Sequence, residues 1–266
     1  MNDFIKELIA NKAEHIEFKK AQFKSCDASM LIENKVRPVN KALSTSIAND
    51  TDKVLRRTII GNTYNWLDSH GDVHVKNTFK KSIDERKDKI WHLHDHIQQR
   101  DAQIGKASKV YEKEVMWTDL GVNKVGTTTV VAMDTNILKD YNPMMFAQYK
   151  EGDVDQHSVG MYYVKVELAV NDAEEIEEYK VWNQYINDIG NKELAEENGY
   201  FWAVKEAKLI EISAVLEGSN SLTPTIEAKD IEPLLEDTQK TEPSLDTQSK
   251  EEVVKESTII INPYLF

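Results

Sequence analysis

Three of the seven histidines fall in one stretch, Trp91-His92-Leu93-His94-Asp95-His96, at every second position. Alternate residues of a strand point to one face, so an extended chain here would line up His92, His94 and His96. Clustered imidazoles suit acid/base chemistry or a metal site; the plainer alternative is a polar strand face with hydrogen-bonded histidines. Two distant stretches supply partners for acid/base work. Ser158 precedes Val159-Gly160, where a turn with glycine would expose the hydroxyl and aim backbone N–H groups at a developing oxyanion. Glu211 lies in the run Leu209-Ile210-Glu211-Ile212 and can orient an imidazole. A serine hydroxyl needs an adjacent base, and His94 or His96 can be that base. Such triads are defined by geometry and not by chain order.

The metal alternative uses His92, His94 and His96 with His70, His74 or Asp95. Histidines at i and i+2 on a strand can grip zinc, with nitrogens about 2 Å from the ion. The chain has no cysteine pair and no HExxH. Its single cysteine, Cys26, lies in the polar run Lys24-Ser25-Cys26-Asp27 and reads as passive.

The elements that must position these residues follow from patterning. Phe4, Ile5, Leu8, Ile9 and Ile16 have helical spacing,; the polar stretch 21–52 reads as a linker. Strands are predicted at Val54–Ile60, Val73–Val75, Ile90–His96, Thr128–Met133 and 156–168, with two more in 104–118 and another two at Tyr200–Val204 and Leu209–Val215. Thr78–Lys89 suits a short surface helix, and Thr135–Lys150 a helix interrupted at Pro143. The Glu- and Asn-rich stretch 171–198 reads as a helical insertion. From 227 to 256, ten acidic residues face four basic ones without an aromatic; such a chain buries too little apolar surface to offset its ordering entropy. The last residues, Ile259 to Phe266, turn apolar and suggest a docking peptide. The division is therefore 1–52 as an N-terminal helical and linker segment, 53–221 as the folded domain, and 222–266 as an acidic, disordered tail.

With 266 residues, 40% hydrophobic and 30% charged, the chain can bury one core,. Acidic residues outnumber basic ones 46 to 33, for a net charge of −13. A surface of that sign repels phosphate backbones, so nucleic acid is not expected as a partner. No apolar run approaches the roughly 18 residues of a membrane span, so no membrane association is expected. One cysteine excludes an internal disulfide framework.

From Thr58 to Ser221 the chain resembles the prohead (capsid-maturation) proteases of tailed bacteriophages, which share a fold with the herpesvirus assemblins. Five landmarks carry the resemblance, in order. Gly61-Asn62-Thr63-Tyr64 leads through Asp68-Ser69-His70-Gly71-Asp72 to Thr78-Phe79. Leu93-His94-Asp95-His96 precedes Ile104-Gly105-Lys106. His157-Ser158-Val159-Gly160-Met161 is similar to the family's serine-bearing Leu-Ser-Ile-Gly-Phe strand. Leu209-Ile210-Glu211-Ile212-Ser213 is similar to its Glu-Val/Ile-Ser strand, and Ser219-Asn220 stands where the family has Ala-Asn. A leucine three residues before the catalytic histidine favours His96, whereas a His-Asp pattern favours His94. The departures are Gln103 in place of the usual proline, a longer loop after His96, and the insertion 171–198.

The resemblance implies an α+β fold, a mostly antiparallel β-barrel surrounded by helices. It implies a serine endopeptidase that needs no cofactor or metal. His96 would be the base, with His94 as fallback, Ser158 the nucleophile and Glu211 the orienting carboxylate; His157 and Glu206 are lesser candidates for that third role. Backbone N–H groups at Gly160 or Gly105 would receive the oxyanion, and Ser213 reads as a core serine. The implied partners are the major capsid protein and scaffold segments, and the family's behaviour allows a homodimer and self-cleavage. The implied place is the immature capsid in the host cytoplasm, with residues 1–52 and the tail as detachable appendages. A protease-like but inactive assembly protein is the main alternative, followed by a metal-dependent hydrolase built on residues 92–96.

Overall fold

A computed structural model describes residues 3–25 and 50–226. Two short helices, α1 (Asp3–Ala10) and α2 (Lys12–Ala21), lead into the two-residue strand β1 (Phe23–Lys24). The long strands are β2 (Val54–Thr63), β5 (Gln103–Met116), β6 (Thr127–Leu138), β7 (His157–Val170) and β8 (Tyr200–Ala214). Shorter ones are β3 (Asp72–His74), β4 (Trp91–His94) and β9 (Thr225–Ile226). The remaining helices are α3 (Lys80–Arg86), α4 (Pro143–Glu151), α5 (Ile176–Tyr185) and α6 (Lys192–Asn198). Among the described residues no helix is long and apolar enough to cross a membrane.

The architecture is α+β, but the expected closed barrel is not what forms. The strands make one sheet in the order β1-β7-β8-β4-β5-β6-β2-β9, with β3 also on β8. The path ends at β1 and β9, so the sheet is open. It is also mixed: β3 and β4 run parallel to β8, and every other pairing is antiparallel. One face carries the main core, in which Ile59, Val131, Met133, Val159, Met161 and Ile212 are buried.

Several sequence expectations are revised by pairing. Residues 104–116 form one strand because β6 pairs from Gly105 to Met116, absorbing the irregular alternation in a bulge between Ala107 and Lys109, and Trp117 and Thr118 turn into a 3-10 helix. Tyr200 to Ala214 is likewise one strand, bulged opposite Gly160 and Met161,. Residues 135–138 extend β6, and the helix expected from 135 begins only at Pro143. The Asn142 side chain accepts from the Met145 N–H at 3.0 Å, and proline at the first helical position loses no helical hydrogen bond. The insertion 171–198 is folded in: Trp182, Ile186, Ile189 and Ala195 form a second core with Leu67, Phe201 and Ala203.

The flanks also differ from expectation. Residues 3–25 pack onto the folded body. Ile5 and Leu8 are buried in the main core, each worth about 1.5–3 kcal/mol of burial. At the other end the folded body runs past 221. Leu222 and Thr223 are fully buried, and Thr225 and Ile226 pair with β2. The expectations for the rest of the linker, for Cys26 and for the tail beyond 226 lie outside the described residues.

Candidate functional site

The candidate site is built on β8 between two neighbours. Antiparallel β7 sets Ser158 opposite Ser213 and Gly160 opposite Glu211. Parallel β4 sets Trp91 beside Glu211 and Leu93 beside Ser213. Residues paired across a sheet share a face, so Ser158, Gly160, Glu211, Ser213, Trp91 and Leu93 all lie on the face away from Val159, Met161 and Ile212. The Ser158-Val159-Gly160 segment is extended, as the strand expected over 156–168 requires, and its glycine makes no turn.

The strand reading of 90–96 fails at its last two residues. β4 ends at His94, and Asp95 and His96 take positive φ values of 51° and 58°. The Ile97 N–H bonds to the His94 carbonyl at 3.1 Å, closing a tight turn with two left-handed residues in its centre, as in a type I′ turn. This conformation is costly for residues with a side chain; Asp and His tolerate it better than most. Its effect is to separate the three histidines. His92 and His94 belong to the face of Ile212 and Ala214, opposite Ser158, so the sheet does not bring the expected fallback base His94 to the side of Ser158. The turn carries His96 back to the face of Glu211.

There His96 is held at two points. Its Nδ1 lies 2.5 Å from Glu211 Oε1, and its backbone N–H donates to Ser213 Oγ at 3.2 Å. The Ser213 hydroxyl in turn donates to Glu211 Oε2 at 2.6 Å. Both carboxylate oxygens can therefore accept, and in the neutral imidazole this arrangement puts the proton on Nδ1 and the lone pair on Nε2,. His96 Nε2 is buried and has no hydrogen-bond partner among the described residues; the Ser158 hydroxyl is not bonded to it in this state. Glu211 is fully buried and Ser158 is 5% exposed. A cavity of about 230 Å³ opens beside Glu211, lined by Trp91, Leu93, Gln98, Arg100, Gln103 and Ile210.

The remaining candidates have other places. His157 bonds to Tyr149 through Nε2 at 2.8 Å and to the Thr223 carbonyl through Nδ1 at 2.9 Å. His92 reaches the same Tyr149 hydroxyl at 3.1 Å and Thr135 at 3.0 Å. Both rings are core groups, and burial lowers His92 to about 3 and His157 to about 4,. Glu206 pairs with Lys81 and Lys165 at the surface. Gly105 is not a free loop donor: it sits in β5 between His92 and Ile137, where a Cβ would meet the Asn136 carbonyl oxygen at 2.2 Å. Gly160 likewise serves close packing, since a Cβ there would stand 1.8 Å from Glu211 Oε1. Ser213 is fully buried in β8, as expected of a core serine, and its spacing of two from Glu211 places both on one strand face.

The metal reading of residues 92–96 does not survive this arrangement, because the three rings do not converge. Among the described residues one set, Asp68, Asp72 and His74, has ligand atoms close enough to hold an ion, within 4.8 Å of one another. A lysine ammonium already stands there. Lys24 Nζ is 2.6 Å from Asp68 Oδ2 and 2.9 Å from Asp72 Oδ2, and Lys19 reaches Asp72 Oδ1 at 2.7 Å. Tyr163 donates to the same Asp72 carboxylate. Burial opposes the charge on Lys24, but the two carboxylates outweigh it and hold the ammonium above its usual range. Asp72 is held far below the usual carboxylate range, its burial being outweighed by Lys19 and Lys24.

No protein-family model, curated protein or solved structure matches the chain.

Proposed function

We propose that the protein is a serine endopeptidase in which His96 takes the proton from Ser158 and Glu211 holds the imidazole. The observation that carries this reading is the His96–Glu211 pair, with a buried, unpartnered Nε2 on the face that also bears Ser158. In the reaction, the Ser158 oxygen would attack a peptide carbonyl while Nε2 accepts its proton; Nε2 would then return that proton to the leaving amine. Glu211 stabilises the imidazolium formed in between. Ser213 positions both partners, since it bonds to the His96 backbone and to Glu211. The cavity beside Trp91, Leu93 and Arg100 would take part of the substrate chain,.

The biological setting of this reading is prohead maturation. The order of sequence landmarks from Gly61 to Asn220 supports it. The substrates would be scaffold segments and the arms of the major capsid protein inside an immature shell in the host cytoplasm, and also the protein's own ends. The test is reaction with a fluorophosphonate probe followed by intact mass. One adduct on Ser158, absent from Ser158→Ala, is expected; no adduct under any condition would sink the reading.

A second reading is an assembly protein whose protease-like site is inactive. The missing Ser158–His96 hydrogen bond favours it. Catalytic hydrogen bonds in enzymes without substrate are often long and tighten on binding, so the probe, and not the resting geometry, separates the two.

A further inference from the structure

We propose that β1 is an autoinhibitory strap: Phe23 and Lys24 hold the outer edge of β7, and an extended peptide reaches the candidate nucleophile only when that strand lets go. The proposal rests on the hydrolase reading above. β7 pairs with β8 along its length, and its other edge receives β1, with Phe23 opposite Tyr162 and Lys24 opposite Met161. Adjacent strand residues point to opposite faces, and each of these two does a separate job. Phe23 lies on the site face. Its ring meets that of Tyr162 at 5.2 Å between centroids, and its Cζ comes within 2.5 Å of where a Gly160 Cβ would stand. That same position is filled from the other side by Glu211 Oε1. The phenyl ring thus covers the strand that bears Ser158 at the point where the orienting carboxylate is seated.

Lys24 lies on the other face and is the latch. It is 8% exposed and bridges Asp68 and Asp72. Lys19 binds the second oxygen of Asp72, so both ammonium groups on this carboxylate pair come from the segment that bears the strap. A strand of two residues has little hold by its backbone alone; the Phe23 ring on Tyr162 and the buried Lys24 ion pairs together keep it in place. A peptide recognised by strand addition needs the same backbone edge, so substrate and strap exclude one another.

The test is the rate of fluorophosphonate labelling at Ser158 in the full chain, read by intact mass. Phe23→Ala leaves the Lys24 ion pairs in place and is expected to label about tenfold faster than the unaltered protein. A second variant needs no comparison between differently folded proteins. Phe23→Cys with Tyr162→Cys, in a Cys26→Ser background, joins the two opposed positions when oxidised and frees them when reduced. Oxidation is expected to slow labelling about tenfold, and reductant to restore it. Equal rates in the oxidised and reduced forms, with Phe23→Ala no faster than the unaltered chain, would overturn the strap while leaving the hydrolase reading intact. No labelling in any form, reduced or oxidised, would overturn both.

Discussion

Glu211 and Gly160 face each other across β8 and β7, and the carboxylate occupies the space that any side chain on Gly160 would need. A Cβ there would stand 1.8 Å from Oε1, the oxygen that binds His96. Gly160→Ala is therefore expected to displace Glu211 from His96 and to cost about 1–3 kcal/mol as overpacking. Thermal unfolding reads the second effect and Ser158 labelling the first. A variant that keeps both unchanged would show that the carboxylate can sit elsewhere.

Glu211→Gln preserves shape but removes the charge that fixes the imidazole proton on Nδ1. By analogy with other triads, a drop of about 10⁴ in turnover is the upper expectation. Ser213→Ala should cost less, because Glu211 still reaches His96 directly. The rates of Ser158 labelling in the two variants check this. Equal rates for Glu211→Gln and the unaltered chain would count against a Glu211–His96 couple.

The left-handed turn at Asp95-His96 is what turns the His96 ring toward Glu211. Asp95→Gly fits φ 51° without strain and should retain labelling. Asp95→Val should lose stability by about 1–3 kcal/mol, because a β-branched side chain resists this conformation. His94→Ala, whose ring lies on the other face, is expected to label normally, whereas His96→Ala should not label. If His94→Ala were the inactive one, the assignment of the base would be wrong.

Three buried histidines make stability fall on acidification well above the range where carboxylates titrate. Burial lowers His74 to about 4, with Lys24 adding to the effect, and lowers His92 to about 3 and His157 to about 4. When unfolded, each takes a proton as pH falls through 6.5; when folded, each resists until about pH 4 or below. The unfolded state then holds more protons, so stability is full above pH 6.5 and declines toward pH 4. The slope approaches ~1.4 kcal/mol per pH unit for each histidine. Urea unfolding across this range checks it, and His157→Asn should flatten the curve by about one proton. A flat profile would contradict their burial as neutral rings.

Much of the site was legible in one dimension because β-strands carry a period of two. Ser158 and Gly160, and Glu211 and Ser213, each share a strand face by their spacing alone. Long apolar runs likewise announced β6, β7 and β8. The same period misled at residues 92–96, since nothing in an alternation of histidines tells where the strand stops. Asp95-His96 leaves the strand because the His94 carbonyl closes a turn onto Ile97. The barrel was misjudged for a related reason: closure depends on which edges meet, and these strands leave β1 and β9 as ends.

By itself, then, the amino-acid sequence determined the types and local spacing of the reactive groups: a serine before Val-Gly, a carboxylate in an apolar strand, and a cluster of imidazoles. It also determined that the chain is acidic and has enough apolar residues for a core. Only the tertiary structure decided which histidine meets Glu211. It alone placed Phe23 over Gly160 and Lys24 between Asp68 and Asp72. The physical reason is that local spacing sets the face of a strand, whereas partners 115 residues apart in sequence, as His96 and Glu211 are, are set by pairing register and by turns, which depend on the whole sheet.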